Sequence, residues 1–248
     1  MPYLSKIQLN PLRQGTQRLL ANPQRTHAAV LGGMPPGSSG RVLWRDEVTK
    51  GEVAGPARPE LLVLTPQMPD WSHLVEQAGW ATPEGAPLVR SLDPLLDLVV
   101  DGREFGFRVR ANPTTSVAKP QSPTAAQRKA LDDGLRRRGI RVAHRTAGHQ
   151  LEWFLARTRE DDTAWGFAVL GDEDHPHVSL VAREHISFSK GRETRHKVTL
   201  DRATFEGRLI VTDADRLREV LVGGLGRGKA YGCGLLTLAP VNGHVVDR

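Results

Sequence analysis

Cysteine is nearly absent from this 248-residue sequence, and the absence excludes several classes of protein. The single cysteine, Cys233, cannot form an internal disulfide or build a zinc site from cysteines. This usage fits a reducing compartment, so we expect a cytoplasmic protein. No stretch approaches the roughly 18 apolar residues that a membrane span needs, and the opening MPYLSKIQLN has no apolar signal-peptide core. Neither a secreted protein nor a membrane protein is expected.

The sequence also lacks the glycine fingerprint GxGxxG of dinucleotide-binding proteins. Residues 223–230 come within one residue of the mononucleotide P-loop GxxxxGK[ST], but Ala230 stands where the magnesium-binding hydroxyl belongs. A P-loop joins a strand to a following helix, whereas this segment is predicted to leave a helix and enter a strand. We therefore expect no nucleotide cofactor, and a nucleotide-dependent enzyme is the weakest functional interpretation.

The glycine-rich segment, residues 223–234, has a phosphate-binding composition. It holds six glycines together with Arg227 and Lys229. Glycines let backbone amides approach an anion, and the two cations neutralise its charge. The alternative is a long turn between a helix and a strand.

Positive charge is in excess, with 34 Lys and Arg against 28 Asp and Glu, and the excess is clustered. One basic run covers residues 128–145 and a second covers residues 183–197. Two such patches suit a polyanion better than a small acid. The alternative is two solvated surface faces.

The order of predicted elements repeats once along the chain. The first set comprises a strand at residues 3–8, a helix starting at Asn22 and Pro23, a hairpin of residues 41–48 and 61–65, a helix at 71–78 capped by Asp70, and a strand at 95–100. The second comprises strands at 105–110, 165–170, 204–211 and 234–238, with helices at 149–158 and from a capping box of Thr212 and Asp215 to Gly223. Two tandem βαββαβ units predict an α+β fold of two ferredoxin-like (RRM-like) domains, residues 1–102 and 103–248.

Several stretches resemble one known family. Residues 205–240, FEGRLIVTDADRLREVLVGGLGRGKAYGCGLLTLAP, look like the C-terminal signature of the CasE (Cse3) family, the CRISPR repeat-processing endoribonucleases of type I-E systems. FRVRANPT at 107–114, RVLWR at 41–45 and YLSK at 3–6 resemble its other conserved pieces in the right order. The resemblance implies a single-turnover, metal-independent nuclease that recognises the hairpin of a CRISPR repeat and cuts at its 3′ base. It also implies that the enzyme stays on the product within the Cascade complex.

The resemblance also implies a catalytic histidine. The family motif NPYxxH matches Asn22 to His27, so His27 is the predicted catalytic residue, with Gln24 on the same helical face. Histidine can move protons near neutral pH when the RNA 2′-hydroxyl attacks the adjacent phosphate. Gln24 replaces the usual tyrosine and cannot titrate, and Gly32 stands where some members have a lysine. The second acid or base is therefore unassigned.

The predicted RNA-binding residues are all basic. Arg25, Arg41 and Arg45 are candidates to steady the phosphate, although arginine is a poor proton donor. The remaining candidates are Lys190 and Arg192 at the tip of a predicted hairpin, with Arg195 and Lys197 beside it, and Arg227 and Lys229 of the glycine-rich segment. For the hairpin the alternative is a solvated loop, and the run at 128–145 is expected to be a surface segment.

The acidic string from Asp172 to Asp174, with His175 and His177, lacks the spacing of a metal site, so no metal is expected. The expected partners are CRISPR repeat RNA and other Cascade subunits. A subunit that binds guide RNA without cutting it is the alternative function, favoured by Gln24 and Gly32.

Overall fold

The computed structural model describes residues 1–49, 58–118, 128, 140–159, 165–190 and 196–241, and the strands of this part form three antiparallel sheets. The strands are β1 Tyr3–Gln8, β2 Leu43–Thr49, β3 Arg58–Thr65, β4 Leu88–Ser91, β5 Glu104–Ala111, β6 Thr114–Val117, β7 Ile140–Ala143, β8 Phe167–Val169, β9 Val178–Lys190, β10 His196–Val211 and β11 Leu236–Pro240. The helices are α1 Gln14–Leu20, α2 Pro23–Gly32, α3 Ser72–Ala78, α4 Asp93–Leu98, α5 Ala147–Leu155 and α6 Ala214–Gly223, with 3-10 turns at Pro83–Gly85 and Lys229–Tyr231.

The first sheet has the strand order β2-β3-β1-β4, which a βαββαβ unit produces. Strand β1 alternates in burial, whereas the central strand β3 is buried on both faces. One face of the sheet packs on the helices. Ile7 and Val63 from the strands lie in one apolar cluster with Val30 of α2 and Leu74 of α3. This packing fixes α2 against the sheet.

The second sheet repeats this arrangement with the order β11-β5-β10-β8, and β9 adds a further strand on β10. Its core is rich in aromatic rings, and Phe154 of α5 stacks on Phe205 of β10 with ring centroids 4.5 Å apart. The sequence predicts that Leu217, Val220 and Leu221 of α6 face inward, and all three are buried. The prediction of tandem ferredoxin-like domains is confirmed, while the exact boundary at residue 102 stays a prediction.

Several predicted elements are wrong. Residues 95–100 do not form a strand, because Pro94 occupies the first turn of helix α4, and the closing strand is β4. The cap of α6 is Asp213, whose side chain accepts from the Arg216 backbone N–H at 2.9 Å, instead of Thr212 with Asp215. The sequence predicts that Leu151, Phe154, Leu155 and Thr158 share one face of the helix, but the buried residues of α5 are Gln150, Trp153 and Phe154.

The third sheet pairs β6 with β7. Residues 113–123 are polar and contain prolines, which predicts a loop where β6 lies, and β7 lies within the run at 128–145 that is expected to be a surface segment. Most of the basic run at 128–145 lies outside the described residues. No helix in the described part of the chain combines the length and apolarity that crossing a membrane requires.

The two large sheets meet along β2. Leu43 and Leu64 of the first sheet share a small apolar cluster with Leu235, next to β11. Arg110 of β5 donates to the Asp46 side chain at 2.6 Å and to the Asp46 backbone carbonyl at 2.8 Å. The strand that carries the RVLWR sequence is therefore held between the two domains.

Candidate nucleic-acid interface

Helix α2 carries the predicted catalytic residues and begins as the sequence predicts. The Asn22 side chain accepts from the Gln24 backbone N–H at 2.9 Å, with Pro23 in the first turn. On the inner face, the buried Thr26 donates to the Leu19 carbonyl at 2.8 Å. The face of α2 that carries Thr26 is thus anchored to the protein, while Arg25 and Ala28 on the opposite side are exposed.

Gln24 and His27 lie three residues apart on α2 and are both half-buried, while Arg25 between them is exposed. The Nδ1 atom of His27 is buried, although the residue as a whole is half-buried. An imidazole can gain or lose a proton near neutral pH.

The glycine-rich segment leaves α6 and enters β11, which confirms the predicted order of elements and excludes a P-loop arrangement. Five of its glycines have positive φ angles, including Gly228 at φ +81° and Gly232 at φ +77°. Hydrogen bonds from Leu225 N–H to the Gly234 carbonyl and from Gly234 N–H to the Arg110 carbonyl close the segment into a compact loop. Positive φ angles at these positions favour glycine and fix the path of the chain.

Strand β2 and helix α2 both contact the 3-10 turn Lys229–Tyr231 of this segment. The Trp44 indole donates to the Ala230 carbonyl at 3.3 Å. A Cβ atom on Gly232 would lie 3.0 Å from the Trp44 ring, so the turn rests directly on that side chain. The predicted catalytic helix and the predicted phosphate segment, about two hundred residues apart in sequence, therefore meet in the fold.

Three of the predicted cations lie around this junction. Arg41 and Arg227 are exposed. Lys229 is half-buried and donates to the carbonyls of Gly223 and Gly224 at 2.7 and 2.5 Å, so part of its role is to hold the end of α6. Burial and the nearby charge of Arg41 lower the pKa of the Lys229 ammonium.

Arg45 does not lie where RNA binding would place it. Its side chain is only 1% exposed, because the guanidinium is enclosed between the two domains. It donates to Glu47 at 2.5 Å, to the carbonyls of Arg108 and Leu235 at 3.1 and 2.8 Å, and to the Thr237 hydroxyl at 2.9 Å. Sequence reasoning had no signal for this, because an arginine in an alternating strand gives no sign that another domain covers it.

The second basic run lies largely on a long ladder of β9 and β10. This ladder pairs Lys190 with His196 and Ser189 with Lys197, while the predicted hairpin tip lies outside the described residues. Arg192 and Arg195 lie outside the described residues. The ladder also holds Phe188, whose ring meets that of Tyr231 at 4.9 Å between centroids, edge to face. Tyr231 and Trp44 support the glycine-rich segment, and sequence reasoning missed both.

Among the described residues, no group of three or more His, Cys, Asp and Glu side chains is placed to hold a metal ion. Asp172 of the acidic string instead accepts from the backbone N–H groups of Asp174 and His175.

Comparisons with known proteins cover almost the whole chain. A family model described as "CRISPR associated protein" matches residues 2–240. The chain is 32% identical over 245 residues to the CRISPR-associated endoribonuclease Cse3 of Thermus thermophilus, covering 96% of this chain and 100% of that protein. It is 29% identical over 135 residues to the CRISPR system Cascade subunit CasE of Escherichia coli K12, covering 54% of this chain and 57% of that one. A solved structure of Thermus thermophilus Cse3 bound to an RNA representing a pre-cleavage complex has a TM-score of 0.71 at 30% identity, with coverage of 96% and 99%.

Proposed function

The chain belongs to the family of CRISPR-associated proteins, and from that membership we propose that it is an endoribonuclease that processes CRISPR RNA. In this proposal it binds the hairpin of a CRISPR repeat and cuts the precursor RNA at the 3′ base of the stem. Its Thermus relative is named an endoribonuclease, and the match covers 96% of this chain and 100% of that protein, which supports the proposed activity.

The observation that carries the proposal is the contact between α2 and the 3-10 turn Lys229–Tyr231. It brings the helix of His27 beside a loop with exposed and half-buried cations, Arg227 and Lys229, while Arg41 adds charge from the start of β2. A phosphate held by these cations would lie next to a group that can move a proton. That combination is what cleavage of RNA by its own 2′-hydroxyl needs.

In the proposed reaction the 2′-oxygen attacks the adjacent phosphorus and the bond from phosphorus to the 5′-oxygen breaks. The 2′-hydroxyl loses a proton and the leaving 5′-oxygen gains one, so the products are a 2′,3′-cyclic phosphate and a 5′-hydroxyl. His27 carries one of these proton transfers, and the Gln24 amide can donate a hydrogen bond to a phosphate oxygen. Arg25, Arg41, Arg227 and Lys229 offset the negative charge that grows on the phosphate.

RNA contacts along the β9–β10 ladder would hold the stem. Lys190, Arg192, Arg195 and Lys197 lie at or near its tip in sequence, and A-form RNA is read mainly through its shape and backbone. Such a surface also fits retention of the cut product. We extend the proposal to assembly in Cascade, because the Escherichia coli relative is named as a subunit of that complex.

A subunit that binds guide RNA without cutting it is the second candidate. It is favoured by Gln24, which cannot titrate, and by Gly32, which offers no side chain. A Cβ atom at position 32 would meet the His73 ring at 3.4 Å, an ordinary contact, so the fold itself does not demand glycine there. Packing against His73 therefore does not explain the glycine at position 32.

The test is cleavage of the repeat RNA encoded beside the gene, in EDTA, by the wild type and by His27→Ala. We expect the wild type to leave a 2′,3′-cyclic phosphate and His27→Ala to be slower by about a hundredfold or more, the usual contribution of a general acid or base. His175→Ala, which removes an exposed histidine from the loop between β8 and β9, is the matched control and should cut at the wild-type rate. A 2′-deoxy substitution at the cut site should stop the reaction.

Cleavage that requires magnesium would overturn the mechanism. Tight binding with no cleavage by either protein would establish the binding-only subunit. Gln24→Tyr separates the two further, because a second titratable group beside His27 should raise the single-turnover rate of a slow nuclease about tenfold and leave a binding-only subunit inactive.

A further inference from the structure

A polar cavity of about 540 Å³ lies on the β9–β10 ladder, between these strands and α5. Its volume falls within the range of roughly 300–1,000 Å³ that small-molecule sites occupy. The residues that line it are Arg145, Gln150, Arg183, Glu184, His185, Asp201 and Arg202.

The register of the ladder divides the lining residues between two faces. Glu184 lies opposite Arg202, and the two side chains form an ion pair at 2.5 Å. Arg202 also lies 3.8 Å from Asp46 and 3.5 Å from the Tyr231 carbonyl, so this pair belongs to the contact between the domains. His185 lies opposite Asp201 one position along, so this pair faces the other side of the sheet.

Asp201 forms the floor of the cavity, with its side chain only 12% exposed. Its Oδ1 atom lies 2.6 Å from His185 Nδ1. Its Oδ2 atom lies 3.8 Å from Arg145 Nε, which is beyond hydrogen-bond distance. Among the described residues, Oδ2 is thus in an ion pair with Arg145 but in no hydrogen bond, and this nearly buried oxygen can accept from a ligand.

The rim of the cavity is cationic. Arg145 is 75% exposed, and Arg183 is exposed as well. Arg183 is oriented by its hydrogen bonds to the Gln150 side chain, at 3.0 Å, and to the Arg145 carbonyl. Gln150 in turn donates to the His144 carbonyl at 2.8 Å. Arg183 is thus held in place by hydrogen bonds, Arg145 is exposed, and both guanidinium groups line the cavity whose floor is the Asp201 carboxylate.

The cavity therefore offers cationic groups for the phosphate of a nucleotide and a carboxylate for its base. Guanidinium groups pair with a phosphate, and a buried carboxylate accepts from the N–H groups on the edge of a base. Unpaired bases of RNA are commonly read in this way on their hydrogen-bonding edges.

We propose that this cavity binds one unpaired nucleotide of the RNA, next to the stem. The base donates to Asp201 Oδ2, and the adjoining phosphate pairs with Arg145 and Arg183. The inference rests on the proposed function, since it takes the RNA to be the substrate. Its place on the ladder favours RNA over a free nucleotide, because His185 is five residues from Lys190, the last residue of β9, about 17 Å along the strand.

The experiment measures the affinity of the full chain, as His27→Ala so that the RNA stays intact, for a repeat hairpin with unpaired nucleotides on both sides of the stem. Each unpaired position is replaced in turn by an abasic nucleotide. We expect one position at which the loss of the base weakens binding about tenfold. In the His27→Ala chain that also carries Asp201→Asn, the loss of the same base should weaken binding less than twofold. Glu219→Gln, which removes an exposed carboxylate on α6, should keep the tenfold effect.

If every abasic position affects the Asp201→Asn chain and its parent equally, the cavity is a structural ion cluster and the proposal fails. Arg145→Gln is a second test in case Asp201→Asn does not fold, because the Arg145 side chain is exposed and its replacement should leave the fold intact. It should weaken binding of the intact RNA by several-fold, and full affinity would also overturn the proposal. If the wild type does not cut the RNA but the abasic effect still depends on Asp201, the proposed function alone fails. If the wild type cuts but the abasic effect does not depend on Asp201, the proposal for the cavity alone fails. Absence of RNA binding would reject both.

Discussion

Replacement of Arg45 by methionine tests whether this residue is structural, as its burial indicates, or binds RNA, as its sequence suggested. Methionine keeps much of the side-chain length but removes every hydrogen bond that the guanidinium makes. The Leu235 carbonyl and the Thr237 hydroxyl lose their Arg45 donor, while Glu47 keeps only Arg108, at 3.2 Å. Burial already lowers the pKa of Arg45, an effect that Glu47 opposes, so the site is an ion pair held out of water.

Removal of one partner from a buried ion pair usually costs about 3–5 kcal/mol of unfolding free energy. For a chain of this length such a loss lowers the Tm by about 10 °C. Urea denaturation and thermal melting of Arg45→Met measure both quantities. RNA affinity, measured at a temperature at which the variant is folded, should equal that of the wild type.

Arg41→Met is the matched control, because Arg41 is exposed just before the same strand. It should change the unfolding free energy by no more than about 0.5 kcal/mol, and it should weaken RNA binding and its salt dependence. The reverse pattern, with Arg45→Met stable but weak in binding, would refute the structural role that we assign to Arg45.

Three further predictions concern the glycine-rich segment and the contact between the domains. The double variant Arg227→Gln, Lys229→Gln should bind RNA more weakly and reduce the slope of log affinity against log salt by about 1.5, and an unchanged slope would reduce the segment to a turn. Gly232→Ala should destabilise the chain and weaken RNA binding, because φ is +77° there and the Cβ would press on Trp44; full affinity would mean that the turn does not contact RNA. Burial would raise the pKa of Asp46, but Arg110 and Arg202 lower it overall. The stability that the Asp46 carboxylate contributes should therefore be lost as the pH falls below about 4. Thermal melting followed against pH should show this loss in the wild type and not in Asp46→Asn.

Local signals in the sequence were sufficient wherever one element decides its own structure. Strand β1 covers the predicted residues 3–8, and the start of α2 follows from Asn22 and Pro23. Residues 95–100 failed because a run of leucines and valines suits a strand as well as a short helix. The deciding residue is Pro94, which sets the first turn of α4.

Features that depend on register or on a second domain could not be predicted from the sequence. Strand β10 begins at His196, eight residues before the predicted strand, because its first half is polar and only its pairing with β9 makes it regular. The pairing of His185 with Asp201 exists only in that register. The burial of Arg45 depends on the second domain, which no local pattern reveals.

The position of β2 at the edge of the first sheet has a consequence for synthesis of the chain. In the described part, β2 pairs with β3 on one side, and on the other side Arg110 of the second domain donates to the Asp46 backbone carbonyl. An uncovered edge strand offers its backbone groups to any other strand and promotes aggregation. A nascent chain that has completed only its first sheet exposes this edge until β5 leaves the ribosome. We therefore expect the second domain to reduce the association of the first with other unfinished chains.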